Sequence, residues 1–158
     1  MLNPLTRLCG VALVMAATAP AAAEPAVIEL TQVACQFIES ENGVDHDFVT
    51  AKAADCIAIN QRTGPDRLAA APTLELKPGK YVFRVTNKDV PYELGFWLRE
   101  RDYNFRNPLH KLTKFSISGG GLTIGKTQDY AVELEPGEYL YSCPLNPTPD
   151  YRLVVSAE

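Results

Sequence analysis

After residue 15 the chain contains no methionine, and its two histidines, His46 and His110, leave everything beyond residue 110 without an imidazole. A site needing a thioether or several imidazole ligands has little to draw on. There is no Cys-x-x-Cys pair, which argues against a dithiol oxidoreductase. SGGGLTIG at 118–125 is no phosphate cradle, because it lacks the Lys-Ser/Thr ending and opens no helix. With no Ser-His-Asp arrangement and no metallohydrolase spacing either, the chain reads as a non-enzyme. Positive charge is also scarce: 14 basic residues face 19 acidic ones after residue 23. That balance excludes general nucleic-acid binding. No apolar run approaches the roughly 20 residues of a spanning helix, so the chain is not expected to cross a membrane.

What is present begins with MLNPLTRLCGVALVMAATAPAAA. One early charge (Arg7), a short apolar run and a closing Ala21-Ala22-Ala23 read as a secretory signal peptide, residues 1–23, cut before Glu24. The expected location is periplasmic or secreted. Cys9 leaves with that leader, so Cys35, Cys56 and Cys143 remain, enough for one disulfide and one leftover thiol. Cys35 and Cys56 lie closest in sequence and beside apolar runs, and are the expected pair. The alternatives use Cys143 in the bond and free one of the others.

VIELTQVACQFI (27–38) reads as one strand. FVTAKAADCIAIN has mixed helical spacing and predicts a helix of two to three turns, ended by Gly64-Pro65, with RLAAAP as a linker. The remainder reads as β. TLELKPGKYVFRVTN and DYAVELEPGEYLYSC each read as strand, Pro-Gly turn, strand, two hairpins built alike. YELGFWL, KFSIS and DYRLVVS supply further strands, and Gly119, Gly120 and Gly121 read as a turn. Seven or eight short strands with regular turns suggest a Greek-key β-sandwich, all-β in class, with a short helical insertion at about 39–71 and one domain over 24–158.

LKPGKYVFRVTNKDVPYELGF, followed later by GLTIGKTQDYAVELEPGEYLYSCPLNPTPDYRLVV, resembles the cupredoxins over about residues 72–157. The resemblance implies a blue-copper-type sandwich. Copper-carrying members use His, Cys, His and a weak axial Met, the last three often as Cys-x-x-His-x-x-x-x-Met. Laid on this chain, Cys143 takes the cysteine place, Asn146 the histidine place and Tyr151 the methionine place. Tyr92-Glu93 stand where the first histidine is due. One ligand of four is kept, and amide and phenol oxygens are poor substitutes for imidazole.

The reading that follows is a non-catalytic binding or accessory protein without a normal blue-copper site, acting on an unknown protein partner or metal. Its expected surface is Tyr92, the loop Pro144, Pro147, Pro149, Tyr151, and Gly119–Gly121. Copper is the cofactor of the alternative: an atypical carrier or electron-transfer protein using Cys143, with Glu93, Asn146 and Tyr151 as oxygen ligands, or with His46 or His110 folded back. Cys143 equally reads as a small buried hydrophobe. His46, among Asp45, Asp47, Glu39 and Glu41, is either a divalent-ion ligand or part of a solvated acidic turn. His110 lies in a loop rich in Arg and Lys that either docks an anionic partner or is simply exposed.

Overall fold

The computed structural model describes residues 24–157, and the expected leader lies outside them. Nine strands form two sheets. One sheet has the order β2-β1-β4-β7, from β1 (Ala26–Val33), β2 (Gln36–Phe37), β4 (Gly79–Asn87) and β7 (Thr127–Leu134). The other has the order β3-β9-β8-β5-β6, from β3 (Leu74–Leu76), β5 (Leu94–Glu100), β6 (Ser116–Leu122), β8 (Gly137–Ser142) and β9 (Tyr151–Val155). The alternation of Phe83 and Val85 with Arg84 and Thr86 buries one face of β4. These residues meet Leu94, Phe96, Leu98, Tyr141 and Leu153 of the facing sheet, with Phe83 stacked 5.4 Å from Phe96.

Four expectations are corrected. VIELTQVACQFI is not one strand: the chain reverses at Ala34-Cys35, where Cys35 takes φ 66°, and β2 folds back on β1. The two Pro-Gly segments are not hairpins. β3 pairs with β9 while β4 pairs with β1 and β7, and β7 and β8 also belong to different sheets. Each Pro-Gly is a corner at which the chain leaves one sheet for the other, and Gly79 at φ 152° supplies a bend that side chains resist. Gly119–Gly121 lie inside β6 rather than in a turn.

The helix is longer than expected: α1 (Ala53–Ala70) spans 18 residues and runs through Gly64-Pro65. Pro65 is exposed, as is Gln61, whose carbonyl it deprives of a donor, so water satisfies that group and the break is avoided. At the start, Asp55 Oδ2 accepts the N–H groups of Ala51 (2.9 Å) and Lys52 (3.1 Å). At the end, Pro72 follows Ala71 and prevents continuation. A short α2 (His110–Thr113) sits in the β5–β6 loop. Among the described residues no helix is long and apolar enough to cross a membrane.

Candidate functional site at the cysteine pole

Cys143 follows β8 and is fully buried. Its Sγ accepts the N–H of Gly95 at 3.3 Å and of Asn146 at 3.2 Å. Burial pushes the thiol pKa up against these donors, which keeps it protonated at neutral pH. Gly95 sits at a β-bulge between β5 and β6. A Cβ there would lie 2.4 Å from the Gly119 carbonyl oxygen, so only glycine lets the two strands close beside the sulfur. The following loop is closed by Thr148, whose Oγ1 accepts the Cys143 N–H at 2.9 Å.

Tyr92 and Asn146 come together. Asn87, buried at the end of β4, donates to the carbonyls of Val90 (3.1 Å) and Leu122 (3.0 Å) and accepts from Val90 N–H (2.9 Å). That turn delivers Tyr92, whose hydroxyl donates to Asn146 Oδ1 at 3.2 Å and lies 3.1 Å from Thr50 Oγ1. Asn146 Oδ1 also accepts Cys35 N–H at 2.9 Å, and Nδ2 donates to Val33 O at 2.8 Å. Both ends of the amide are engaged.

The helical insertion covers this pole. Cys35 and Cys56 form a disulfide, Cα atoms 5.0 Å apart, and Cys143 is the free thiol among the described residues. The bond ties α1 to the β1–β2 turn. Asn60, one turn further along α1, donates to Pro147 O, fastening the helix to the proline-rich loop. Pro149 and Tyr151 are buried, Pro147 is half-buried, and Pro144 stays exposed with Leu145. Tyr151 points away from the sulfur: its hydroxyl donates to Glu41, and its ring packs 5.9 Å from Phe37. The expected surface therefore shrinks to Pro144, the edge of Pro147 and the glycines of β6, because the insertion occupies the rest. With Leu145, Gly95 and Trp97, Pro144, Gly119 and Gly120 line an open groove of about 340 Å³. Glu93 is exposed and accepts Gly121 N–H at 2.8 Å, away from Cys143.

Beside the pole lies a second cluster, in which the sequence had set His46 near Glu41 but gave no sign of Arg67 or of Tyr151 joining them. Glu41, in the 3-10 turn Glu39–Glu41, is buried and receives Arg67 Nη2 at 2.6 Å and Nε at 2.8 Å. His46 Nε2 lies 2.8 Å from its other side. Burial pushes the Glu41 carboxyl up, but Arg67, Tyr151 and His46 outweigh it and hold it below the ordinary value. Tyr151 is pushed far up by burial and by this carboxylate. Arg67 falls in the segment expected to be a linker; only its place one residue before an apolar run hinted at burial. His46 is thus a hydrogen-bond partner of Glu41, stacked on Phe48 at 5.5 Å. His110 serves its own loop, accepting Asn104 N–H at 3.0 Å.

The donor set does not fit the copper centre that the fold family implies. Such a centre wants a thiolate and two imidazoles. Here the Asn146 amide is bonded to Cys35, Val33 and Tyr92, the Tyr151 hydroxyl is spent on Glu41, and the ring nitrogens of His46 and His110 bond to Glu41 and Asn104 rather than to the sulfur. Among the described residues no group of three or more His, Cys, Asp or Glu is placed to hold a metal. Two buried side-chain atoms among the described residues lack a hydrogen-bond partner: Tyr130 Oη, and Gln32 Oε1, whose Nε2 donates to the carbonyl of Gly95, the residue whose N–H meets the sulfur, at 2.7 Å.

No protein-family model matches the chain, and no curated protein matches it in sequence. Solved structures do match. Auracyanin B is 13% identical over 85% of this chain and 91% of its own, with a TM-score of 0.51. Auracyanin A, a blue copper protein from the green thermophilic photosynthetic bacterium Chloroflexus aurantiacus, is 12% identical over 84% of this chain and 100% of its own, at 0.49. A purple cupredoxin from Nitrosopumilus maritimus is 21% identical over 53% of this chain and 77% of its own, at 0.36. The chain has a cupredoxin-like fold. At such low identity the likeness speaks for the fold alone.

Proposed function

We propose that this is a non-catalytic binding protein of an oxidising compartment, periplasmic or extracellular, built on a cupredoxin scaffold whose metal pole has been converted into a hydrogen-bonded plug. The observation that carries the reading is the Tyr92–Asn146 contact. The two positions that the resemblance assigns to imidazoles hold a phenol and an amide bonded to each other. Residual binding capacity lies in the groove beside them, whose rim of Pro144 and Leu145 suits an apolar side chain of a protein partner. The disulfide supports the compartment, since such bonds persist where thiols are oxidised.

Titration of the chain from Glu24 onward with Cu(I) and with Cu(II) tests this. No thiolate-to-copper absorption is expected, and one thiol should be counted only after unfolding. A stoichiometric band that disappears in Cys143→Ala would sink the proposal. It would establish the second reading instead: a copper site using the Cys143 sulfur with Gln32 Oε1, which is favoured by that oxygen having no other partner. Copper there would supply a one-electron couple, and Cys143 would first have to lose its proton.

A further inference from the structure

The β5–β6 loop, residues 101–115, is built unlike the rest of the surface. Its inner side is ordered. Tyr103 packs on Trp97 at 6.1 Å and on His110 at 6.4 Å. Asn104 Oδ1 accepts Arg106 N–H, Asn107 Oδ1 accepts Leu109 N–H, and Lys114 pairs with Glu100 and Asp102. Its outer side is apolar: Phe105 is 58% exposed, Leu109 66% and Leu112 84%. A loop tied down this thoroughly could have tucked these side chains under it. Holding three large apolar residues in water marks a contact surface. Leu109 and Leu112 stand one helical turn apart and so share a side.

Charge decides what the surface meets. The segment carries Arg101, Arg106, Lys111 and Lys114 against Asp102, while the residues around it from 24 onward hold 10 basic and 18 acidic groups. Arg101 pairs with Glu138 and Lys114 is held as above, so of the segment's four cations Arg106 and Lys111 have no ion pair among the described residues. They flank the apolar trio, and the Arg106 guanidinium lies 5.4 Å over the Phe105 ring. Exposed apolar side chains with unpaired cations in the same short segment match a headgroup layer: the trio enters the acyl boundary and the cations meet lipid phosphates. A flat acidic protein surface would use the cations and leave Leu112 in water.

We propose that loop 101–115 seats this protein peripherally on an anionic lipid bilayer, through Phe105, Leu109 and Leu112 with Arg106 and Lys111. The proposal does not depend on the fate of the cysteine pole. It is tested by co-sedimentation of the chain from Glu24 onward, which carries both sheets, the helix and the disulfide, with phosphatidylcholine vesicles containing or lacking phosphatidylglycerol. Binding is expected to the anionic vesicles and to weaken as salt is raised. Arg106→Glu with Lys111→Glu should weaken it at least fivefold per charge, about the worth of one cation at such a surface. Phe105→Ser, Leu109→Ser and Leu112→Ser together should abolish it, with an unchanged circular dichroism spectrum confirming the fold. No sedimentation with anionic vesicles overturns the proposal, as does a triple serine variant that binds like the parent. So does self-association through the loop in place of lipid binding.

Discussion

Two polar clusters lie on either side of Cys35, and they are built on opposite principles. The Cys35 N–H donates to Asn146, and its carbonyl accepts from Arg67 at 3.1 Å. On the Asn146 side everything is neutral: amide, phenol, hydroxyl, protonated thiol. On the Arg67 side a full ion pair is buried, with a phenol and an imidazole filling the remaining lone pairs of Glu41. Both fasten the same insertion to the sandwich. A neutral cluster costs little to bury once each group is bonded, and it holds its arrangement across pH. A buried ion pair is only as good as its completeness, so losing one member leaves a bare charge. The difference shows two ways of fastening one insertion: a charged clamp beside the pole, and an uncharged plug at the pole itself.

The largest effect should come from the charged side. Arg67→Met strands Glu41 and should cost about 3–5 kcal/mol in urea unfolding. Because Glu41 titrates below its ordinary value in the fold, its contribution is complete at neutral pH. It should fade as pH drops below about 4.3, the unfolded value, toward the lower folded one. Glu41→Gln should flatten that acid limb. A protein whose stability from pH 6 down to 3 is the same with and without Glu41 would remove the charged half of the comparison.

Cutting the tether comes next. Cys35→Ala with Cys56→Ala opens a loop of 21 residues' separation and should cost about 3 kcal/mol. A free Cys143 that becomes open to alkylation in that variant, while staying protected in the parent, would show that the cap itself shields the sulfur. On the neutral side, Asn146→Ala leaves the Cys35 N–H and Val33 carbonyl buried without partners, for roughly 1–3 kcal/mol. Tyr92→Phe should be smallest, about 0.5–1.5 kcal/mol. The two should couple in a double-mutant cycle, since they share one hydrogen bond. If Asn146→Ala proved costlier than Arg67→Met, the plug rather than the clamp would be what holds the insertion down.

Much of the sandwich was legible because its signals are local. Alternation through Tyr81, Phe83 and Val85 marks a half-buried strand wherever it sits, and two cysteines near one another in an exported-looking chain suggest a bond. The corners were not legible. A Pro-Gly between two strands looks the same whether the strands pair with each other or part for different sheets, and only partners far along the chain decide which. Pro65 misled for a related reason: a proline breaks a helix unless its face is open to water, and exposure is a tertiary property. At the site, the resemblance assigned Cys143 the cysteine place, and the sequence alone showed that no imidazole stands at the other positions. What replaced them could not, because the Asn146 partners come from residues 33, 35 and 92 and the Glu41 partners from 46, 67 and 151.

The parallel pairing of β3 with β9 and of β1 with β4 carries a consequence in time. β1 waits for a strand that begins after the whole insertion, and β3 waits for the last strand of all. Long-range pairing of this kind is slow. Closing the Cys35–Cys56 loop needs neither sheet and involves a short stretch of chain. The clasp can therefore fasten before the pole of the sandwich it covers exists, while Cys143, made last, enters a molecule in which Cys35 and Cys56 are already committed. Quenching free thiols at intervals during oxidative refolding should find the native bond ahead of native tyrosine burial.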